Sequence, residues 1–277
     1  MRQFAVYSCT LLLSLVPCTL YAEESPFELG PAPFLTEDPP ETGIAVEKQA
    51  GLTVNTMRRS EVVDFYYDVY EASRQVAADW NGDVGTCNAG TTSAAYEEAT
   101  LMRVNYFRAM TGLPAAITFN ASFNTMCQEA ALMMIVNGAL SHSPPDDWIC
   151  WTQDGDDAAG KSNIAIGAEG PAAIDGYIKD PGASNTALGH RRWILYPRQQ
   201  VMGTGSVTAQ NGFFYGANAL YVLDQGTFTS DPDVTSLISP WPPAGYVPCR
   251  VVFPRWSYSH PGADFTNATV SMRDLDA

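Results

Sequence analysis

From residue 60 onward, apolar positions recur with helical spacing in four blocks and cluster into strand-like runs around one tight turn. Val62, Phe65, Tyr66, Val69 and Tyr70 mark the first helix, predicted from a Ser60 cap to about Trp80, where Asn81-Gly82 stops it. Ser93 is placed to cap a second. Ala95, Ala99, Met102, Tyr106 and Ala109 form its apolar face, and Gly112 and Pro114 end it. Asn120 precedes a third helix with the stripe Phe123, Met126, Cys127, Ala130, Ala131 and Met134, closed by Gly138. Residues 161–167 read as a short strand or turn leading to Pro171. That proline suits the first turn of a fourth helix, which carries Ala172, Ile174, Tyr177 and Ile178 and ends at Asp180-Pro181-Gly182. Residues 201–207 and 213–223 flank Asn211-Gly212 and predict a hairpin. Residues 146–159 read as an acidic loop, and 249–258 and 264–272 as two further strands. Helices interleaved with an antiparallel hairpin predict an α+β fold with helices packed on a sheet.

One stretch falls outside this pattern. Gly189-His190-Arg191-Arg192 leads into the apolar run Trp193-Ile194-Leu195-Tyr196, and Pro197 ends it. A titratable ring therefore sits at the entrance to a segment expected to be buried, beside a glycine that lets backbone or ligand come close. The chain has only three histidines, His142, His190 and His260. His142 follows the end of the third helix, where its side chain can turn into a cleft. His260 precedes Pro261-Gly262 and reads as a turn residue.

Composition narrows the class. The chain has 277 residues, 46% hydrophobic and 16% charged, enough apolar material for one domain with appendages or for two domains. A net charge of -15 argues against nucleic-acid partners and anionic membrane surfaces, both of which ask for basic patches. Residues 1–22 have the pattern of a secretory signal peptide, with Arg2, an apolar stretch over 4–20, and cleavage expected after Ala22. No membrane span is expected once it is removed. The predicted location is secreted and extracellular, or periplasmic. Residues 23–57, rich in proline and acid, read as a disordered lead.

Outside the leader lie Cys87, Cys127, Cys150 and Cys249, all candidates for disulfides whose three possible pairings the sequence does not decide. No C-x-x-C spacing points to a cysteine metal site. The motifs H-E-x-x-H, G-x-S-x-G and G-x-x-x-x-G-K-[ST] are all absent. Any chemistry must come from residues gathered by folding, namely His142, His190, Ser162, Asn163 and nearby acids. Asn105 and Arg108 lie three apart on the second helix and read as structural polar residues tying it to neighbouring loops.

The ordered set Asn105 with Arg108, Gly112, the 123–134 helix ending in Leu140-Ser-His142-Ser, Ser162-Asn163-Ile164, Gly189-His190-Arg191, Ile194-Leu195, Pro197 and Met202-Gly-Thr-Gly205 resembles the CAP superfamily. This superfamily comprises the cysteine-rich secretory, antigen-5 and pathogenesis-related proteins. The resemblance implies a three-layer α-β-α sandwich with a central cleft, an N-terminal helical segment and a short β-rich tail. It divides the remaining chain into a helix and loop (58–91), the CAP domain (92–229), and a linker with a partial β-rich extension (230–277). In the family, two histidines and two glutamates line the cleft and bind a divalent metal. His142 and His190 match the histidines. Ser162 stands where one glutamate belongs, and Asp180, with Tyr177, is the best match for the other. The resemblance therefore implies a cleft lined by His142, His190, Ser162, Asn163 and Asp180, with Arg191 as a structural polar residue and a depleted ligand set for zinc or another divalent metal. The function it implies is a non-enzymatic secreted module binding a lipid, a sterol or a cell-envelope ligand. The alternatives are a metal-dependent hydrolase using His142 and His190, and a surface or wall adhesion module.

Overall fold

Gly203 and Gly205 explain how the layers meet. A Cβ on Gly205 would lie 2.1 Å from the Gln128 nitrogen, and one on Gly203 would lie 2.3 Å from Phe123 Cβ. These two glycines let the helix containing both neighbours lie directly on the sheet. The computed structural model describes residues 27–33, 51–182, 185–224, 239–259 and 264–271; the signal-peptide expectation and His260 fall outside them. Its elements are β1 (Glu28–Leu29), α1 (Arg59–Phe65), α2 (Ala94–Met110), β2 (Thr118–Phe119), α3 (Ala121–Asn137), α4 (Gln153–Ala159), β3 (Ser162–Ile166), α5 (Gly170–Lys179), α6 (Gly189–Ile194), β4 (Val201–Asn211), β5 (Phe214–Tyr221), β6 (Ser239–Trp241) and β7 (Ser257–Ser259).

Five strands form one sheet in the order β1-β3-β5-β4-β2, antiparallel except for the β2–β4 pair; β6 and β7 form a separate ribbon. Strand alternation sends successive side chains to opposite faces. Ile164, Ile166, Val207, Ala217, Ala219 and Tyr221 pack with α3 and α4 on one face. Ala165, Met202, Leu220 and Val222 pack with α2, α5 and α6 on the other. The result is the α+β, three-layer α-β-α sandwich.

Local signals account for most boundaries. The Ser93 hydroxyl accepts from Tyr96 N, the Asn120 side chain accepts from Ser122 N and Phe123 N, and Gly138 ends α3 in the left-handed conformation. The hairpin turns at Gly212 with φ 59°.

Five expectations are corrected. The first helix begins after Arg58 rather than at a Ser60 cap, and it passes into a π-helical stretch, Tyr66–Glu71, that ends well before Trp80. Tyr66 and Tyr70 stack there at 5.0 Å, and Tyr70 meets Tyr106 at 5.1 Å, so aromatic packing sets the local winding. The acidic loop contains α4, capped by Thr152 with Asp154 and Asp156 in its first turn. Residues 249–258 are not a strand: Cys249–Val251 is a single 3₁₀ turn, and only Ser257–Ser259 pairs, with β6. Trp241, read as linker, is fully buried against Phe107, with ring centroids 5.0 Å apart. Residues 264–271 hold no strand.

Candidate functional site

α5 ends at Asp180, which adopts the left-handed conformation (φ 49°), and α6 begins after Leu188, also left-handed (φ 51°). Asp and Asn tolerate that region better than most residues because their short polar side chains bond locally. The two turns aim Asp180 at the start of α6. His190 Nδ1 donates to Asp180 Oδ1 at 2.7 Å, and Arg191 N donates to Oδ2 at 3.2 Å. Asn185 Nδ2 donates to the same Oδ1. Asp180 is 0% and His190 1% exposed. A carboxylate oxygen accepts, so the hydrogen bond is made by the imidazole N–H at Nδ1 and directs Nε2 away from Asp180. That Nε2 is buried and has no partner.

The ring is fixed from other sides as well. Tyr177 stacks on it at 5.8 Å, and Asn163 Nδ2 donates to the His190 carbonyl at 3.1 Å. The Tyr177 hydroxyl donates toward Asn218 Oδ1 (2.9 Å) and Asn163 O (3.0 Å), tying β3, β5 and α5 together beneath the histidine. Arg191 donates to Ile178 O at 2.6 Å and to Ser257 Oγ at 2.9 Å, joining α6 to the carbonyl end of α5 and to β7. Burial pushes its guanidinium down to about 10, against the pull of Asp180, and it remains charged at neutral pH. Arg255 adds a further tie, donating to Asn185 O at 2.7 Å.

Arg108 holds the segment that follows. It is fully buried and donates to the carbonyls of Pro114, Ile194 and Tyr196 at 2.8 Å each and of Gln199 at 3.2 Å. Burial pushes its guanidinium down to about 9. The Asn105 amide exchanges two hydrogen bonds with the Ile117 backbone, at 3.1 and 2.9 Å. Both residues hold helix to loop.

His190 lies in the wall of a cleft of about 1210 Å³. The segment Leu29–Pro33 and the aromatic residues Trp193, Tyr196, Trp256, Tyr258 and Phe265 also line the space.

Several expected site residues are placed differently. Ser162 is buried, but its hydroxyl meets Cys127 Sγ at 3.6 Å, on the α3 side of the sheet. The period-2 alternation of β3 that turns Asn163 toward His190 turns Ser162 away from it. His142 is half-buried and absent from the cleft lining. Its Nδ1 faces Ala159 O at 2.6 Å, and its Nε2 faces Pro31 O. Both ring nitrogens are thus engaged with backbone carbonyls, and the 27–33 segment lies between the two histidines. Among the described residues, no group of three or more His, Cys, Asp and Glu is placed to hold a metal ion. The residues present do not fit the shared metal that the resemblance implied.

Of the cysteines, Cys87 and Cys150 form a disulfide. Cys127 is a free thiol with 0% exposure, because it belongs to the α3 stripe facing the sheet, and burial pushes it up to about 12. Cys249 is not free.

Asn185, Asn218 and Arg255 were not singled out from sequence, and residues 27–33, expected within a disordered lead, instead carry β1 paired to β3. For the segment a signal existed: Phe27-Glu28-Leu29 alternates as a strand does, and Gly30-Pro31 closes it.

A sandwich with a cleft at the joint of α5 and α6, lined in part by a carboxylate-held histidine, defines the class. Residues 101–223, from within α2 through β5, match the model of the cysteine-rich secretory protein family, CAP, so this part of the chain is a CAP domain. No curated protein and no solved structure matches it.

Proposed function

We propose that this CAP-domain protein is a secreted, non-enzymatic binding module whose cleft takes a ligand with an extended apolar body, of lipid or sterol type. The observation that carries the reading is the cleft itself: about 1210 Å³, lined in part by aromatic residues, with His190 in its wall. Clefts of this order hold small molecules; here the aromatic side chains face an apolar body, and Asn185, Thr186, Arg192 and Ser259 in the same lining suit a polar head group. Trp256 is 47%, Tyr258 54% and Phe265 47% exposed, so each offers apolar surface to an occupant. The Cys87–Cys150 disulfide supports an oxidising, extracytoplasmic location. The metal-dependent hydrolase alternative finds no support in the geometry, because His142 and His190 serve separate carbonyl and carboxylate partners.

Native mass spectrometry of the purified protein after exposure to a total lipid extract tests the proposal. A retained lipid at one per chain is expected. A spectrum of bare protein under every extract tried would rule the reading out.

A further inference from the structure

The segment Phe27–Pro33 is seated as a bound peptide would be. β1 runs antiparallel to β3 with Glu28 opposite Ile166 and Leu29 opposite Ala165, and Gly30 N donates to Ile164 O at 3.2 Å. Phe27 and Leu29, two apart on one face, pack against the core beneath α5, while Glu28 faces solvent. The body of the protein is hollowed to receive the segment. A Cβ on Gly176 would lie 2.2 Å from the Phe27 ring, and one on Gly189 would lie 2.3 Å from Ala32 Cβ. Neither glycine has a positive φ, and the nearest atoms to each added Cβ all belong to the segment. A glycine inside a helix is destabilising relative to alanine. Both positions gain from glycine by making room for these seven residues. Farther along, Pro31 O accepts from His142 and Pro33 O accepts from Trp193 Nε1 at 2.9 Å.

We infer that the β3 edge, with the hollows at Gly176 and Gly189, is a receptor for an extended peptide of the pattern aromatic–X–aliphatic–Gly–Pro, and that Phe27–Pro33 fills it in cis. The mode is strand addition: main-chain hydrogen bonds hold the peptide, and side-chain hollows on one face select it. A partner protein carrying this pattern in an extended segment displaces the chain's own. Because Leu29–Pro33 lines the cleft, the exchange also remodels the cleft. The inference is independent of what the cleft itself binds. The cis segment competes at the high effective concentration of a tethered ligand, so a free peptide binds the intact chain weakly.

The test is fluorescence anisotropy with a labelled synthetic peptide of residues 27–33 and the full-length chain. Phe27→Ala weakens the cis segment without altering the receptor. The peptide should bind this variant about tenfold more tightly than wild type, or better, given what burial of a phenyl ring contributes. Adding Gly176→Ala should abolish that binding, and a scrambled peptide should not bind. A second measurement stands if Phe27→Ala folds poorly: hydrogen exchange over 27–33 should be faster in Gly176→Ala and in Gly189→Ala than in wild type. Equal peptide affinity for wild type and Phe27→Ala, binding that survives Gly176→Ala, or unchanged exchange in both glycine variants overturns the inference. A wild-type dimer dissolved by Gly176→Ala would place a second copy's segment in the groove and overturn the cis assignment.

Discussion

Asp180→Asn is the most searching perturbation of the site, because it changes charge while leaving the backbone alone. Asparagine accepts the left-handed conformation found at φ 49° and keeps the size of the side chain. The wild-type carboxylate accepts from three donors: His190 Nδ1, Arg191 N and Asn185 Nδ2. An amide has one acceptor oxygen, so whichever way it turns, its NH2 group faces at least one of these buried donors. Hydrogen bonds to a charged group are worth about 1.5–3 kcal/mol, and a buried donor left unpaired costs about 1–3 kcal/mol. The buried Arg191 guanidinium also loses the favourable charge of Asp180, which acts on it without a direct ion pair. These contributions overlap, and we expect a total near 3 kcal/mol. In urea unfolding followed by tryptophan fluorescence, the midpoint should fall with the slope m unchanged. For a protein of this size the Tm should drop by roughly 6–12 °C. A loss under about 1 kcal/mol would refute the claim that Asp180 is the hub joining α5 to α6.

Three further outcomes are expected. Arg108→Lys should destabilise by about 3 kcal/mol or more in the same assay, because one ammonium cannot reach the four carbonyls that the planar guanidinium spans. Glu169 is pushed up from 4.5 to about 7 by burial, so the folded state holds its proton more tightly than the unfolded state. Its contribution is full below pH 4.5 and is lost as pH rises toward 7. Glu169→Gln should therefore flatten the fall in stability across that window, by about 1–2 kcal/mol after allowing for partial solvent access. Cys127 should resist iodoacetamide in the native protein and react on denaturation, with peptide mapping to read the residue.

The elements most legible in the sequence are those carried by local chemistry. Ser93, Asn120, Gly138, Pro171 and the Asn211-Gly212 turn each act on their immediate neighbours, and each boundary falls where the residue type requires it. The pairing of His190 with Asp180 was half legible. Both stood out as cleft candidates, but only the two left-handed turns bring residues ten apart into contact. The misplaced features depend on long-range packing. Ser162 and Asn163 are adjacent in sequence, and only the register of β3 decides which of them faces the histidine. His142 is diverted by a carbonyl 111 residues away, and no spacing rule reports such a contact. Trp241-Pro242-Pro243 has the composition of a linker, yet the tryptophan fills a space beside Phe107 that exists only once α2 is packed. α4 was missed although Thr152 and its acidic first turn carry a cap signature, because a run of aspartates also reads as a solvated loop.

The central claim is that the cleft beside His190 is a ligand site. The most direct measurement is a titration of the full chain with a dansyl-labelled fatty acid, run in parallel on Ala187→Trp, which places an indole in the cleft from an exposed lining position. The account predicts saturable binding at one site per chain in the wild type, weakened at least about tenfold in the filled variant. A wild type that does not saturate, or a filled variant that binds as tightly as wild type, contradicts it.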